Sequence, residues 1–394
     1  LVIVSHVTHY AWEGRLYAYS PYAREIDVWA DLFPEVVIAA PCRAQAPPTD
    51  ACAFSRDHIT VDPQIEAGGD HWSAKLRQLL LLPVMTWSLA RAIRRGDAVH
   101  VRCPGNLGLL GALLAPLLCR YRVAKYAGQW PDHPGVAFAS RLQKRLLQSA
   151  WWNAPVTVYG QWDHQPAHIV PFFTSIMTRG QVARARRAAA SRPFDEPALR
   201  VLFVGMLAPW KNPDAVIRGV AALRAQGIAV ECDMVGSGAS RADLEQLAST
   251  LGVADVVRFA GAVGPEQVHD YYERCHVLVL PSNSEGWPKV VAEAMAFGLI
   301  CVGSDRGLIP QMLGEGRGFV VPPHDAAALA GVLQTIGRSA DRFPEMRARA
   351  AEWGQRYSLE DLRDAIADLL SRAWGVPVSV VPAMHAQAQV APHA

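Results

Sequence analysis

Apolar and polar positions divide this chain into short, continuously apolar runs that alternate with longer amphipathic stretches. In the first half the apolar runs are LVIVS (1–5), EVVIAA (35–40), AVHVRC (98–103), RVAKYAG (122–128) and PVTVYG (155–160). In the second they are RVLFVG (200–205), AVECDMVG (229–236), VVRFAG (256–261), HVLVLPS (276–282) and LICVGS (299–304). Their length, their Val and Ile content and the Gly or Pro that bounds them are those of strands. Successive positions are apolar, so both faces of the sheets must be covered, which predicts parallel strands with helical crossovers. Helical stretches at 21–33 and 73–95 fit that scheme. A polar, helix-breaking Asp195-Glu196-Pro197 separates the two series. The expectation is an α/β chain of two doubly wound, Rossmann-like domains facing a central crevice, at 1–195 and 196–355. A helix at 356–374, with Leu362, Ile366, Leu369 and Leu370 on one side, is expected to return to the first domain. The Ala-, Val- and Pro-containing stretch at 375–394 is expected to be a disordered tail. Ligands of such sheets bind beyond the carboxyl ends of the strands, and the candidate residues fall there.

The densest chemistry lies in PSNSEGWPKVVAEAMAFG, residues 281–298. An apolar strand ends at Pro281, and VVAEAMAFG reads as a helix with Gly298 as its stop. Glu285 therefore sits in the loop at the strand's carboxyl end and Glu293, eight positions on, inside the helix. A Gly286-Trp287-Pro288 turn would aim the free amides of the first helical turn at the crevice, where they attract an anion such as a diphosphate. Pro288 donates no N–H and so suits the first helical position. A carboxylate on each side of that anion site can hold hydroxyl groups.

At these residues the chain resembles the retaining glycosyltransferases of family 4, which have the GT-B fold and carry an E-x7-E pair within EG[FW]-x-x-x-x-x-EAMA-x-G. The resemblance implies that Glu285 binds hydroxyls of a donor sugar and Glu293 the nucleotide ribose. It also implies that the amides of Gly286, Trp287 and Lys289 lie near the donor phosphate. In RVLFVGMLAPWKNPDAVIRGV, Lys211 stands where the family places a lysine on the diphosphate, just beyond Gly205 at the strand's end. The family's arginine after that glycine is here Met206, so one of two expected phosphate charges is missing. MVGSG supplies Gly236 and Gly238, whose lack of a side chain lets backbone approach a ligand.

The first half carries fewer signals. After the opening strand, HVTHYAWEGRLYAYS occupies the place of the family's glycine-rich loop, with Gly14 as the point of close approach to the donor phosphates and Arg15 as a charge partner. Where many relatives have a histidine near the reacting carbon, this chain reads AGQWPDHPG. Gly128-Gln129 takes the expected position, and His133, Asp132 and the earlier His9 are further crevice candidates. SRLQKRLLQSAWW (140–152) sets Leu142, Leu146 and Leu147 beside Arg141, Lys144 and Arg145, with Trp151 and Trp152 at its end. It reads either as a domain helix with a basic face or as a helix lying on an anionic membrane. Residues 178–192 add Arg179, Arg184, Arg186, Arg187 and Arg192, with the same two readings.

Composition narrows the class. A chain of 394 residues with net charge +2 has no global pull toward nucleic acid. Seven cysteines form no C-x-x-C pair and read as small core residues of a reducing compartment. The longest apolar stretch, 107–119, is shorter than the roughly 20 residues a membrane span needs, and LVIVS shows no secretory leader. No D-x-D stands in a metal-binding context, so neither a metal nor another cofactor is expected.

Taken with the resemblance, this implies a cytoplasmic enzyme, peripheral on the inner membrane leaflet. It would move a sugar, with retention, from a nucleotide-sugar to a hydroxyl of a glycan or lipid-linked acceptor in cell-surface polysaccharide or glycolipid synthesis. Glu285, Lys211 and His133 are the residues expected at the chemistry. A GT-B sugar-nucleotide epimerase and an inactive sugar-nucleotide-binding protein are the alternatives.

Overall fold

The computed structural model describes residues 1–66, 72–132, 136–191, 198–339 and 342–381. The chain forms two compact units, Leu1–Val123 with the chain from Arg363 on, and Ala124–Leu362.

In the first unit, parallel strands Ala98–Cys103, Val2–Val4, Val36–Ala40 and Ile59–Pro63 lie side by side in that order. The first three are the predicted apolar runs, and their residues are almost all buried. Helices Ser20–Ala30, Trp72–Ile93 and Asn106–Leu118 supply the crossovers. A second, small sheet joins His9–Trp12, Arg15–Tyr19, Cys42–Arg43 and Ala51–Ala53. It replaces the glycine-rich loop expected after the opening strand. Glu13 and Gly14 both have positive φ, 49° and 72°, and Trp12 pairs with Arg15. This is the backbone of a two-residue primed hairpin turn, whose twist matches that of the strands it joins.

The helix Leu359–Trp374 buries Ile366, Leu369 and Leu370. Its last residue, Trp374, packs against Phe33 and Tyr121 and donates its indole N–H to the Arg122 carbonyl. Beyond it, residues expected to be a disordered tail are tied down as far as Val381. The Val378 amide donates to the Ser371 hydroxyl, and that of Val381 to the Asp31 carbonyl. The rest of that stretch lies outside the described residues.

The second unit carries a six-stranded parallel sheet. Its order is Val257–Gly261, Val230–Val235, Leu199–Val204, Val277–Leu280, Ile300–Ser304 and Phe319–Val321. Chain order reverses between Leu199–Val204 and Val277–Leu280, which pair directly. A parallel ladder of Tyr121–Tyr126, Val156–Tyr159 and Ile169–Phe172 belongs to the same unit from Ala124 on. The expected boundary, Asp195-Glu196-Pro197, lies outside the described residues. Within the unit the Arg179–Ala190 helix, capped by Thr178 and Gln181, packs on the Lys289–Ala296 helix. Arg184 adds bonds to Asp270 and Glu273, and Arg179 to Asp361. Two arginines of that tract, Arg179 and Arg184, are thus engaged within the unit, while Arg192 lies outside the described residues.

Among the described residues no helix is long and apolar enough to cross a membrane. The seven cysteines are free thiols, and burial pushes the Cys103 thiol up to about 12.

Candidate active site

The reversal of strand order decides where the site falls. On either side of a switch point the crossovers leave toward opposite faces, so the loops after the two central strands open a crevice between them. Here those loops are Gly205–Asn212 and Pro281–Pro288. Three contacts stitch them together. The Asn283 amide donates to the Trp210 carbonyl at 2.9 Å. The Asn212 side-chain amide donates to the Pro281 carbonyl at 2.7 Å and to Asn283 Oδ1 at 2.8 Å, and reaches the Pro323 carbonyl at 3.4 Å. Asn212 holds this position with positive φ, 50°, which asparagine tolerates better than most residues.

The third contact is an ion pair between Lys211 Nζ and the Glu285 carboxylate. These two predicted residues are brought together from positions 211 and 285, and their side chains are 14% and 10% exposed. The Lys211 ammonium also lies 4.5 Å from the centre of the Trp210 ring. A flexible cation and a carboxylate therefore neutralise one another at the mouth of the two loops.

The helix predicted after the loop runs Lys289–Ala296, with Pro288 as its N-cap, one position earlier than expected for the proline. The Pro288 carbonyl already accepts from Val291 and Ala292, and Gly298 ends the helix at φ 75°. Gly286 allows a close approach: a Cβ there would stand 3.1 Å from the Ala127 carbonyl oxygen and 3.2 Å from the Gly128 carbonyl carbon, tighter than ordinary contact. Next to it, Ser284 donates to Gln129 Oε1 at 3.0 Å. The expected position Gly128-Gln129 thus touches the Glu285 loop, whereas His133 lies outside the described residues.

Trp287 turns its side chain into an aromatic cluster with Trp353, Tyr357, Tyr159 and Phe173. That cluster anchors the helix start from below. A cleft of about 780 Å³ opens along its side, lined by Gln161, Gln311, Arg317 and Tyr357 among others, and neither Lys211 nor Glu285 lines it.

Glu293 is nearly fully buried, and its Oε2 accepts the hydroxyl proton of Tyr272 at 2.9 Å. Burial and the adjacent carboxylate hold the Tyr272 phenol well above its ordinary value, so it stays a donor. The two glutamates are thus partnered differently, one by a largely buried lysine at the loop mouth and one by a fully buried phenol.

Other candidates take structural places. Gly236 and Gly238 were expected to let backbone approach a ligand, but what approaches them is the neighbouring loop. A Cβ on Gly236 would stand 1.8 Å from the Gly205 carbonyl oxygen, and one on Gly238 would stand 2.2 Å from that of Leu207. Gly205 itself continues the ladder through its amide to Val235. Gly14 and Arg15 sit exposed at the hairpin turn of the first unit. His9 is not a crevice residue. It is fully buried between Tyr22 and Phe54, and burial lowers its pKa to about 4. Asp132 is exposed and bonded to Lys144 at 2.9 Å. Met206, where the family's arginine would be, is half exposed.

Tyr272, Asn212 and the Ser284–Gln129 contact escaped the sequence reading. No spacing in the sequence links them to the glutamates.

Comparison with known proteins bears on this geometry. Residues 186–356, which contain Lys211, Glu285 and Glu293, match the family model described as glycosyl transferases group 1. A D-inositol 3-phosphate glycosyltransferase of Streptomyces coelicolor is 36% identical over 205 residues, 49% of this chain and 45% of that protein. The chain therefore spans about half the length of this relative. Among solved structures, Anabaena HepE in complex with UDP and glucose superposes with a TM-score of 0.67 at 16% identity, over 94% of this chain and 98% of that one. Sucrose-phosphate synthase from Thermosynechococcus elongatus gives 0.66 at 20% identity, over 95% and 98%. The fold is that of the GT-B glycosyltransferases.

Proposed function

We propose that this chain is a retaining glycosyltransferase that moves a sugar from a nucleotide-sugar to a hydroxyl of a glycan or lipid-linked acceptor, in polysaccharide or glycolipid synthesis at the inner face of a membrane. The observation that carries the reading is the Lys211–Glu285 pair at the switch point, beside the start of the Lys289–Ala296 helix. On this reading the donor diphosphate takes Lys211 and the helix start, while Glu285, released from the lysine, receives hydroxyls of the sugar. Glu293 holds the ribose diol from beneath.

The bond from the anomeric carbon to the diphosphate oxygen breaks, and its electron pair leaves with the diphosphate. That developing charge is what Lys211 and the helix dipole stabilise, without a metal. The acceptor oxygen bonds to the same face of the anomeric carbon, and its proton leaves with the departing phosphate. Glu285 acts as a binder in this scheme, in contrast to the nucleophilic carboxylate of a retaining glycosidase.

Anabaena HepE forms a crystallised complex with UDP and glucose, so UDP-glucose heads the donor panel, followed by other uridine and guanosine diphosphate sugars. Each is tested with sugar and lipid-linked acceptors, with and without a chelator, and the anomeric configuration of product is read by NMR. Transfer with inversion, or a strict metal requirement, would overturn the scheme. Epimerised donor without acceptor would assign the site to an epimerase, and binding without turnover to a carrier of the nucleotide-sugar.

A further inference from the structure

The helix Trp72–Ile93 packs through Met85, Leu89, Ala92 and Ile93, all buried. Its opposite side is apolar as well. Leu80, Val84 and Trp87 recur at i, i+4 and i+7 and are 72%, 52% and 65% exposed, with Leu79 beside them at 65%. Arg91 continues this row, its guanidinium 5.3 Å from the Trp87 ring centre. The neighbouring helix Asn106–Leu118 packs on this one and exposes Leu113 and Leu117, again one turn apart. A surface helix ordinarily turns polar residues to water. A helix apolar on both sides belongs in a core or in hydrocarbon.

Charge on the two helices has one sign, and the exposed Asp97 follows in the turn beyond the first of them. Neither helix contains an Asp or Glu, while Arg77, Arg91, Arg94 and Arg120 are exposed on or next to them. The amphipathic helix at Phe138–Gln148, the sequence candidate for membrane contact, does not have this form. It buries Gln143, Lys144 and Leu147, and Trp152 is wholly buried, so its tryptophans do not form an exposed pair.

We infer that the outward face of these two helices is the surface by which the protein lies on an anionic lipid bilayer. Leucines and Trp87 enter the headgroup boundary and the arginines meet lipid phosphates. The sign of the charge selects this occupant. A second copy of the same face, in a self-complementary contact, would set arginine against arginine, whereas an anionic leaflet neutralises them. The inference gives a surface to the membrane contact proposed above and rests on that part of the reading alone, since it uses no residue of the sugar-transfer site.

The test is co-sedimentation of the full chain with vesicles of phosphatidylcholine, alone or with one third phosphatidylglycerol, at physiological ionic strength. The expected result is binding to the anionic vesicles that falls more than about ten-fold in Leu80→Glu/Trp87→Glu, from the lost apolar insertion. Arg91→Gln and Arg94→Gln should each weaken it about five-fold. Melting temperature and nucleotide affinity should stay unchanged in these variants, which separates failure of this inference from failure of the transferase reading. Wild-type protein left in the supernatant, or a double variant that sediments like wild type, would overturn the inference. So would a dimer in ultracentrifugation that the double variant abolishes, because the face would then be a contact between copies.

Discussion

Breaking the Lys211–Glu285 pair from each side in turn tests both what holds the loops and what the loops bind. Lys211→Met leaves the Glu285 carboxylate in a site where it is 10% exposed. Glu285→Gln leaves the ammonium with the Trp210 ring as its named remaining contact. Breaking a fully buried pair costs about 3–5 kcal/mol. The remaining water access reduces this to about 2–3 kcal/mol. For a unit of this size that is a fall of about 4–12 °C in melting temperature. The double variant strands no charge, so it should lose clearly less than the sum, with a coupling of about 2 kcal/mol.

Binding gives the sharper contrast. If the ligand-free pair is the lysine's resting contact, a diphosphate must displace Glu285 to reach it. Glu285→Gln should therefore hold or raise affinity for a nucleoside diphosphate, while Lys211→Met lowers it about 10- to 150-fold, the worth of one charge-assisted bond. Both should cut transfer. Thermal melts read the first set of numbers, and titration calorimetry with UDP and GDP reads the second. Equal losses of diphosphate affinity in the two variants would refute the exchange, and a coupling near zero would refute the buried pair itself.

Tyr272→Phe should cost about 1.5–3 kcal/mol by removing a donor from a buried carboxylate and should raise KM for the donor with little change in kcat. Unchanged nucleotide affinity would take Glu293 off the ribose. The His9 imidazole has a folded pKa of about 4 against 6.5 unfolded, so its contribution is complete above pH 6.5. It is lost as pH falls toward 4, where the unfolded chain binds the proton more readily, at about 1.4 kcal/mol per unit. Urea melts of wild type and His9→Phe across pH 4–7 should differ in that slope, and parallel curves would show that His9 does not titrate there. Truncation after Leu362 removes Ile366, Leu369 and Leu370, each worth about 1.5–3 kcal/mol when buried, together with Trp374. It should loosen hydrogen exchange throughout Leu1–Val123, and unchanged protection would show that the helix only decorates that unit.

Most strands of the parallel sheets were legible because they are apolar on successive residues, as in LVIVS and HVLVLPS; Ile59–Pro63, Ile169–Phe172 and Phe319–Val321 were not, since each is short and partly exposed. The small sheet was not. Glu-Gly is a weaker primed-turn signal than Asn-Gly or Asp-Gly, and the strands it joins are partly exposed, so HYAWEGRLYAY lacks a clean alternation. Gly236 and Gly238 were read as points where backbone approaches a ligand, and in the structure the backbone of Gly205 and Leu207 stands against them. The sequence could not say whether a ligand or the Gly205–Leu207 loop stands there.

The two glutamates show where spacing stops carrying information. Eight positions apart in one motif, one in the loop and one in the helix, they take different partners from other segments, Lys211 for one and Tyr272 for the other. A phenol that burial holds protonated is a fixed donor, so Glu293 is oriented before any ligand arrives, which suits rigid recognition of a diol. An ammonium on a flexible stem is an exchangeable partner, so Glu285 is neutralised when the site is empty and freed when an anion claims the lysine. On the proposed reading, occupancy of the diphosphate position would switch on the carboxylate that receives the sugar. Free sugar should therefore bind more weakly to the empty protein than to the protein loaded with nucleoside diphosphate, and Lys211→Met should erase that difference. Equal sugar affinity in both states of the wild type would separate the two halves of the site.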